Sequence, residues 1–233
     1  IAEQASTVME QAVTDLSEYS GNELDEADIM DLNYRYDDNL IVIYEQLAKE
    51  NADNDTVASG YYSMAIGYCE DYIGILKMKV DEDDSITLGG TSVNAYNQSY
   101  YNKMMTEARC YDAQGKTDDA LAVYEEAEKV FGTDNEWSDN VYAEHLDYLY
   151  RLCEAKEQDP RLWPTKIPDL TRQLVQVYDN GANVSGIDSN KTWYKRKDTL
   201  QMLKDGNYDA VEEEGTQTQD ETSEDAQSAE MGE

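Results

Sequence analysis

The chain has 233 residues, with 51 acidic against 18 basic side chains and a formal net charge of -33. Such acidity excludes naked nucleic acid and anionic membrane surfaces as partners, because the chain repels their phosphates. No apolar run approaches the roughly 20 residues of a membrane span, so this stretch does not itself insert in a bilayer.

The apolar residues recur at helical spacing almost everywhere, and only 3 prolines interrupt them, at Pro160, Pro164 and Pro168. Residues 2–19 put Ala5, Val8, Ala12, Leu16 and Tyr19 on one face of a first helix, which Gly21 ends. Asp25 caps a second helix running to about Glu50, with Ile29, Leu32, Tyr36, Leu40, Ile43 and Leu47 as its stripe. After the polar turn at 51–55, a third helix turns Val57, Tyr61, Ala65, Tyr68, Tyr72 and Leu76 inward. DEDDSITLGGT, residues 81–91, is the clearest internal loop, with Gly89 and Gly90 as breakers. Ser92 starts a fourth helix carrying Val93, Tyr96, Tyr100, Met104, Ala108 and Tyr111. Gly115 closes it, and Thr117 caps a fifth through Val130. A sixth covers about 138–157, with Tyr142, Leu146, Leu149 and Cys153 on one side. The turn EQDPRLWP leads to Pro164 in the first turn of a seventh, which holds Ile167, Leu170, Leu174 and Val177 and ends at Asn180 and Gly181. Ser189 caps the last helix, where Trp193, Leu200 and Leu203 are apolar. The expected division is a helical domain over 1–204 and an acidic, disordered tail over 205–233, which has no Lys or Arg.

Little in the chain offers catalytic chemistry. Cys69, Cys110 and Cys153 are an odd number with no close pair, so neither a disulfide framework nor a zinc site is expected. Residues 81–92 alternate Asp81, Asp83 and Ser85 as a calcium loop does. But Ile86 occupies the glycine position and Ser92 that of the bidentate Glu. The single histidine, His145, lies next to the stripe of the sixth helix, as a structural histidine would, with no nucleophile motif to serve. No phosphate-cradling loop exists, since Gly89–Gly90 lacks a following Lys. The expectation is therefore no catalytic residue, no metal and no cofactor. Pairs such as Tyr61/Tyr62, Tyr100/Tyr101 and Tyr148/Tyr150 put some tyrosines on a second face, where they serve either as binding surface or as plain surface. Lys191, Lys195, Arg196, Lys197 and Lys204 form the only basic cluster, which docking against the acidic body explains better than an external partner.

Residues 101–134, YNKMMTEARCYDAQGKTDDALAVYEEAEKVFGTD, resemble a tetratricopeptide repeat, a helix–turn–helix unit of roughly 34 residues. The match falls on Ala108, Tyr111, Gly115, Ala120, Tyr124 and Ala127. Ala108 and Ala120 are small where two helices cross, and Tyr111, Tyr124 and Ala127 fill the space between hairpins. Met104, Glu107 and Gly132 depart from the family's large aromatic, Leu and Pro. One such unit cannot bury its faces alone, so neighbouring hairpins are expected. The near-equal spacing of the three cysteines fits a quasi-repeat of about 42 residues. A tyrosine-rich, acidic helical module also resembles the C-terminal region of membrane-anchored serine/threonine kinases of Gram-positive bacteria, although no kinase motif is present.

The fold expected is all-α, a tetratricopeptide-like α-solenoid of about eight helices with a C-terminal capping helix. The function this implies is protein or peptide binding, not catalysis, with a small-ligand or glycan sensor as the alternative. In the repeat family the first helix of each hairpin lines the binding surface. That implies a stripe of Asn102, Met105, Arg109 and Asp112, without the family's carboxylate clamp. The chain starts at Ile1, as a fragment or processed product does, and a membrane anchor preceding it fits a bacterial cell-surface location better than a cytoplasmic one.

Overall fold

A computed structural model describes residues 2–21, 23–82, 87–88, 91–92 and 97–207, with side chains described outside 78–96. The expected disordered tail from 208 onward lies outside the described residues, as do Asp83, Ser85, Ile86 and both glycines of the loop at 81–91. The described residues form nine helices and one two-stranded ladder.

Helix α1 (Ala2–Ser17) packs only one face, against α2 (Glu26–Glu50). That face is Ala2, Met9, Val13 and Leu16, and Val8 points to solvent at 68% exposure. Of the expected stripe Leu16 is buried and Ala5, Ala12 and Tyr19 are half-buried, so Val8 is its one member that faces water. Glu10 accepts the hydroxyl of Tyr44 from α2. Asp25 caps α2 as expected, in a capping box with Asp28. α2 lies between α1 and α3 (Asp55–Glu82) and buries Tyr34, Leu40, Ile41, Tyr44, Leu47 and Ala48. This is wider than one stripe because neighbours press on two sides.

Strands β1 (Thr87–Leu88) and β2 (Thr91–Ser92) pair antiparallel between α3 and α4 (Asn97–Ala113). Ser92 is thus in a strand, not at a helix start. α4 and α5 (Thr117–Phe131) form the hairpin of the expected repeat. Its turn is a Schellman motif. The Lys116 amide donates to the Tyr111 carbonyl at 2.9 Å and the Gly115 amide to that of Asp112 at 2.8 Å. Gly115 has φ +71°, which explains why glycine stands there. Thr117 makes no cap, since α5 begins on it and Lys116 precedes it without a side-chain bond.

Helix α6 (Ser138–Lys156) is buried on nearly every side and packs on α5, α8 and α9. The expected seventh helix is two. A 3-10 turn (Pro160–Leu162) runs into α7 (Trp163–Lys166), and α8 (Pro168–Gly181) starts afresh. The break falls at Ile167, which adopts φ -137° and ψ 56°. Pro168 forces it, by disfavouring helical backbone at the residue before it. α9 (Lys191–Asp205) is capped by Asn190, not Ser189, which lies in a 3-10 turn. Helix α9 docks through Trp193, Leu200, Met202 and Leu203. Its basic cluster faces inward in part. Arg196 lies 3.9 Å from the Tyr150 ring centroid and 3.2 Å from Asp147, and Lys197 pairs with Asp188 and Lys204 with Asp179.

The cysteines do not mark a repeat. Cys69 lies in the second helix of its hairpin, whereas Cys110 and Cys153 lie in first helices. All three are buried free thiols, and burial pushes Cys110 and Cys153 up to about 12 and Cys69 higher still. They are inert fillers of the core.

Candidate binding grooves over α4 and α6

The repeat positions behave as small or interlocking core. Ala120 and Ala127 are fully buried and Ala108 nearly so; Tyr124 is buried and Tyr111 half-buried. The expected binding stripe on α4 does not survive as a surface. Met105 is 1% exposed and belongs to the core, so it has no contact to offer a partner. Asp112 is half-buried and accepts the Tyr148 hydroxyl from α6 at 3.1 Å. Asn102 and Arg109 are exposed, and Arg109 donates to Thr106 Oγ1 at 2.7 Å. The reason is that this face of α4 is partly taken up by α6, through Tyr101 with Glu144 and Asp112 with Tyr148, while Met105 lies in the core cluster shared by α3, α4, α5 and α6.

The tyrosines likewise point mostly inward. Tyr101 donates to Glu144 at 2.7 Å across α4 and α6, Tyr72 to Tyr34 across α3 and α2, and Tyr44 stacks on Tyr68 with centroids 5.8 Å apart. Tyr194, at 68% exposure, is the strongly exposed tyrosine among the described residues.

Two grooves lie on the opposite side of α4 and on the matching side of α6. The first, of about 380 Å³, runs over α4 between α3 and α5; the second, of about 400 Å³, runs over α6 between α5 and α8. Their linings repeat. Met104, Glu107 and Tyr111 of α4 have the same spacing as Tyr142, His145 and Leu149 of α6. Asp119, Val123 and Glu126 of α5 have the same spacing as Gln173, Val177 and Asn180 of α8. The α4–α5 and α6–α8 hairpins therefore pack on the hairpin before them in one register, although residues 157–167 make the second connection much longer.

The two grooves differ in charge. In the α6 groove His145 is buried, stacks on Tyr124 and has Nδ1 2.6 Å from Glu128 Oε1. His145 is thus held in place within the fold by a ring stack and a side-chain contact. In the α4 groove the equivalent place holds Glu107. Burial, then Glu70, pushes its carboxyl up to about 7, while Lys77 draws it back. Among the described residues, four acids line this groove, Glu70, Glu107, Asp119 and Glu126, against the single cation Lys77. Sequence reading recognised Glu107 only as a departure from the repeat's Leu; an acid inside an apolar stripe was the available signal. A third, larger cavity of about 720 Å³ lies at the α2–α3 and α4–α5 turns, lined by Ala52, Ser59 and Gln114, whose Oε1 is buried without a partner. No group of His, Cys, Asp or Glu among the described residues is arranged to hold a metal ion, and no helix among them is long and apolar enough to cross a membrane.

The chain matches no protein-family model, no curated protein and no solved structure.

Proposed function

We propose that the chain is a tetratricopeptide-like hairpin array, closed by α9 as its cap, that binds a segment of another protein. The observation that carries this reading is the recurrence of one groove, in one register, over α4 and again over α6. Repeated grooves on neighbouring hairpins suit an extended peptide, whose side chains recur along one direction. Each groove is open, with exposed Glu70, Lys77 and Ala122 on the rim of one and Glu125 and Gln176 on the rim of the other. Such a module serves a larger protein as its recognition part, the role implied by the resemblance to modules of bacterial membrane-anchored kinases.

Amide shifts of isotopically labelled protein, titrated with pooled synthetic peptides, test this. Shifts along α3–α4–α5 or α5–α6–α8 are expected. Shifts confined to the Asn102 and Arg109 side of α4, together with loss of binding in Arg109→Ala, would return the site to the outer stripe. A small ligand is the second reading, and the cavity beside Gln114, within the size range of ligand pockets, favours it. Amide shifts at Ser59 and Gln114 on a small-molecule fragment screen, with none from peptides, would decide for it.

A further inference from the structure

We infer that the α3–α4–α5 groove is selective for a cationic peptide segment, in which a Lys or Arg side chain enters beside Glu107 and an apolar neighbour lies against Met104 and Val123. The inference rests on the peptide-binding reading above and names the partner's chemistry for one of the two grooves.

At the shared register the α6 groove sets His145 against Glu128 at 2.6 Å, and Lys129 lines the same groove. At the same places the α4 groove has Glu107 facing Lys77, so one base is present there too. But Glu70 on α3 and Asp119 and Glu126 on α5 face the same space, and among the described residues Lys77 is the one basic residue lining it. Where the α6 groove carries Gln173 and Asn180, this one carries Asp119 and Glu126. The excess of acid is thus larger in this groove, since the α6 groove sets Glu125 and Glu128 against Lys129 and His145.

A second point separates it from the acidic surface at large. Most carboxylates here sit in water, but Glu107 is partly withdrawn from it, against a floor of buried Met104, Ile73 and Val123. A half-desolvated carboxylate gains more from an incoming cation than a solvated one. The long methylene stem of Lys or Arg suits the apolar floor while its head meets the acids. Charge complementarity and floor together select a basic, partly apolar segment over an acidic or purely polar one.

The pH dependence follows from the groups that face Glu107: Glu70, Lys77 and the buried Cys69 thiol of α3, Tyr111 and the Cys110 thiol of α4, and Asp119 and Glu126 of α5. Burial raises both thiols and Tyr111 far above neutrality, so Glu107 is the group that changes charge near pH 7. Its carboxylate is needed by the cation. Binding is therefore strongest above pH 7 and weakens as the pH falls toward 5, and at intermediate pH it releases a proton.

The test titrates the protein, by calorimetry and amide shifts at physiological ionic strength, with a synthetic amphipathic Lys/Leu peptide and with its Glu/Leu and Gln/Leu counterparts. The Lys/Leu peptide should shift α3, α4 and α5 amides. Glu107→Gln should weaken it by about tenfold to a hundredfold, the loss expected for a charge-assisted bond, and should flatten the pH dependence. Glu18→Gln, an equal charge change at an exposed site away from the groove, should leave binding unchanged. Glu107→Leu, which restores the repeat's usual residue, supplies a folded variant with the same expected loss. Equal binding by Glu107→Gln and Glu18→Gln would overturn the inference, since the peptide would then be held by the body's charge alone. If the Lys/Leu peptide leaves this groove untouched while a neutral or acidic counterpart shifts α5, α6 and α8, this inference fails and the peptide-binding reading stands. If no peptide shifts either groove, both fail.

Discussion

Tyr outnumbers Phe by 19 to 1, and the reason lies in what surrounds each ring. A chain with this many carboxylates cannot keep all of them clear of its helix interfaces. A tyrosine fills the interface as Phe would and also offers a donor, so Tyr44 satisfies Glu10, Tyr101 Glu144 and Tyr148 Asp112. Asp37, like Glu107, is a carboxylate whose burial costs stability. It is buried on α2 near Asp71, and desolvation, then that neighbour, pushes its carboxyl up to about 7. A folded value raised above that of the unfolded chain means that the native state holds a proton the unfolded state has lost. The resulting cost is fully present above pH 7 and is relieved as the pH falls toward 4. Asp37→Asn should therefore stabilise the protein at pH 8 by about 1–3 kcal/mol. In thermal melts the gain should shrink steadily between pH 7 and 4; a gain that does not change with pH would refute this account.

Elements pack here by small residues at close crossings. Ala120 has no exposed surface and sits where α5 meets α4, so Ala120→Leu should cost about 1–3 kcal/mol through overpacking. A Leu variant that melts like the parent would show that the crossing is elsewhere. Gly181 plays the same part at the other end. A Cβ there would stand 2.4 Å from Trp193 Cη2 of α9 and 3.2 Å from Tyr142 Cδ1 of α6. Gly181→Ala should thus lower the melting temperature by several degrees, by about the same overpacking cost. Since α9 is the element displaced, Trp193 fluorescence should change with it. Here the sequence was half legible. Gly181 was correctly placed at the end of its helix, but its role is close approach and not chain reversal, and a close approach depends on which element lies opposite.

At the scale of the molecule, a net charge of -33 opposes compaction. The fold offsets this locally, by turning its basic residues toward acids: Arg196 sits between Asp147 and Glu154, and Lys103 against Asp38 and over Tyr72. Repulsion among the remaining carboxylates is long-ranged and is screened by salt within roughly 10 Å at 0.1 M. Raising sodium chloride from 10 to 300 mM should therefore raise the melting temperature, and a flat or falling dependence would mean that the paired charges outweigh the unpaired ones.

What the sequence determined by itself is whatever depends on the next few residues. The cap at Asp25 and most of the helical stripes were legible because their hydrogen bonds close within a turn. So was the turn at Gly115, for the same reason. Pro164 stands in the first turn of its helix as expected, but the break before Pro168 was not expected. What only the tertiary structure decided is which face of each helix meets which neighbour. Val8 was assigned inward and lies outward, Met105 was assigned to a binding surface and is core, and the cysteine spacing had no structural counterpart. The two grooves belong to this second kind. Each is made by three helices that meet only when the chain has folded, and its charge is the sum of side chains that no local pattern connects. A helix periodicity fixes that a face exists, but the free energy that selects the face comes from apolar area and charge brought by other segments.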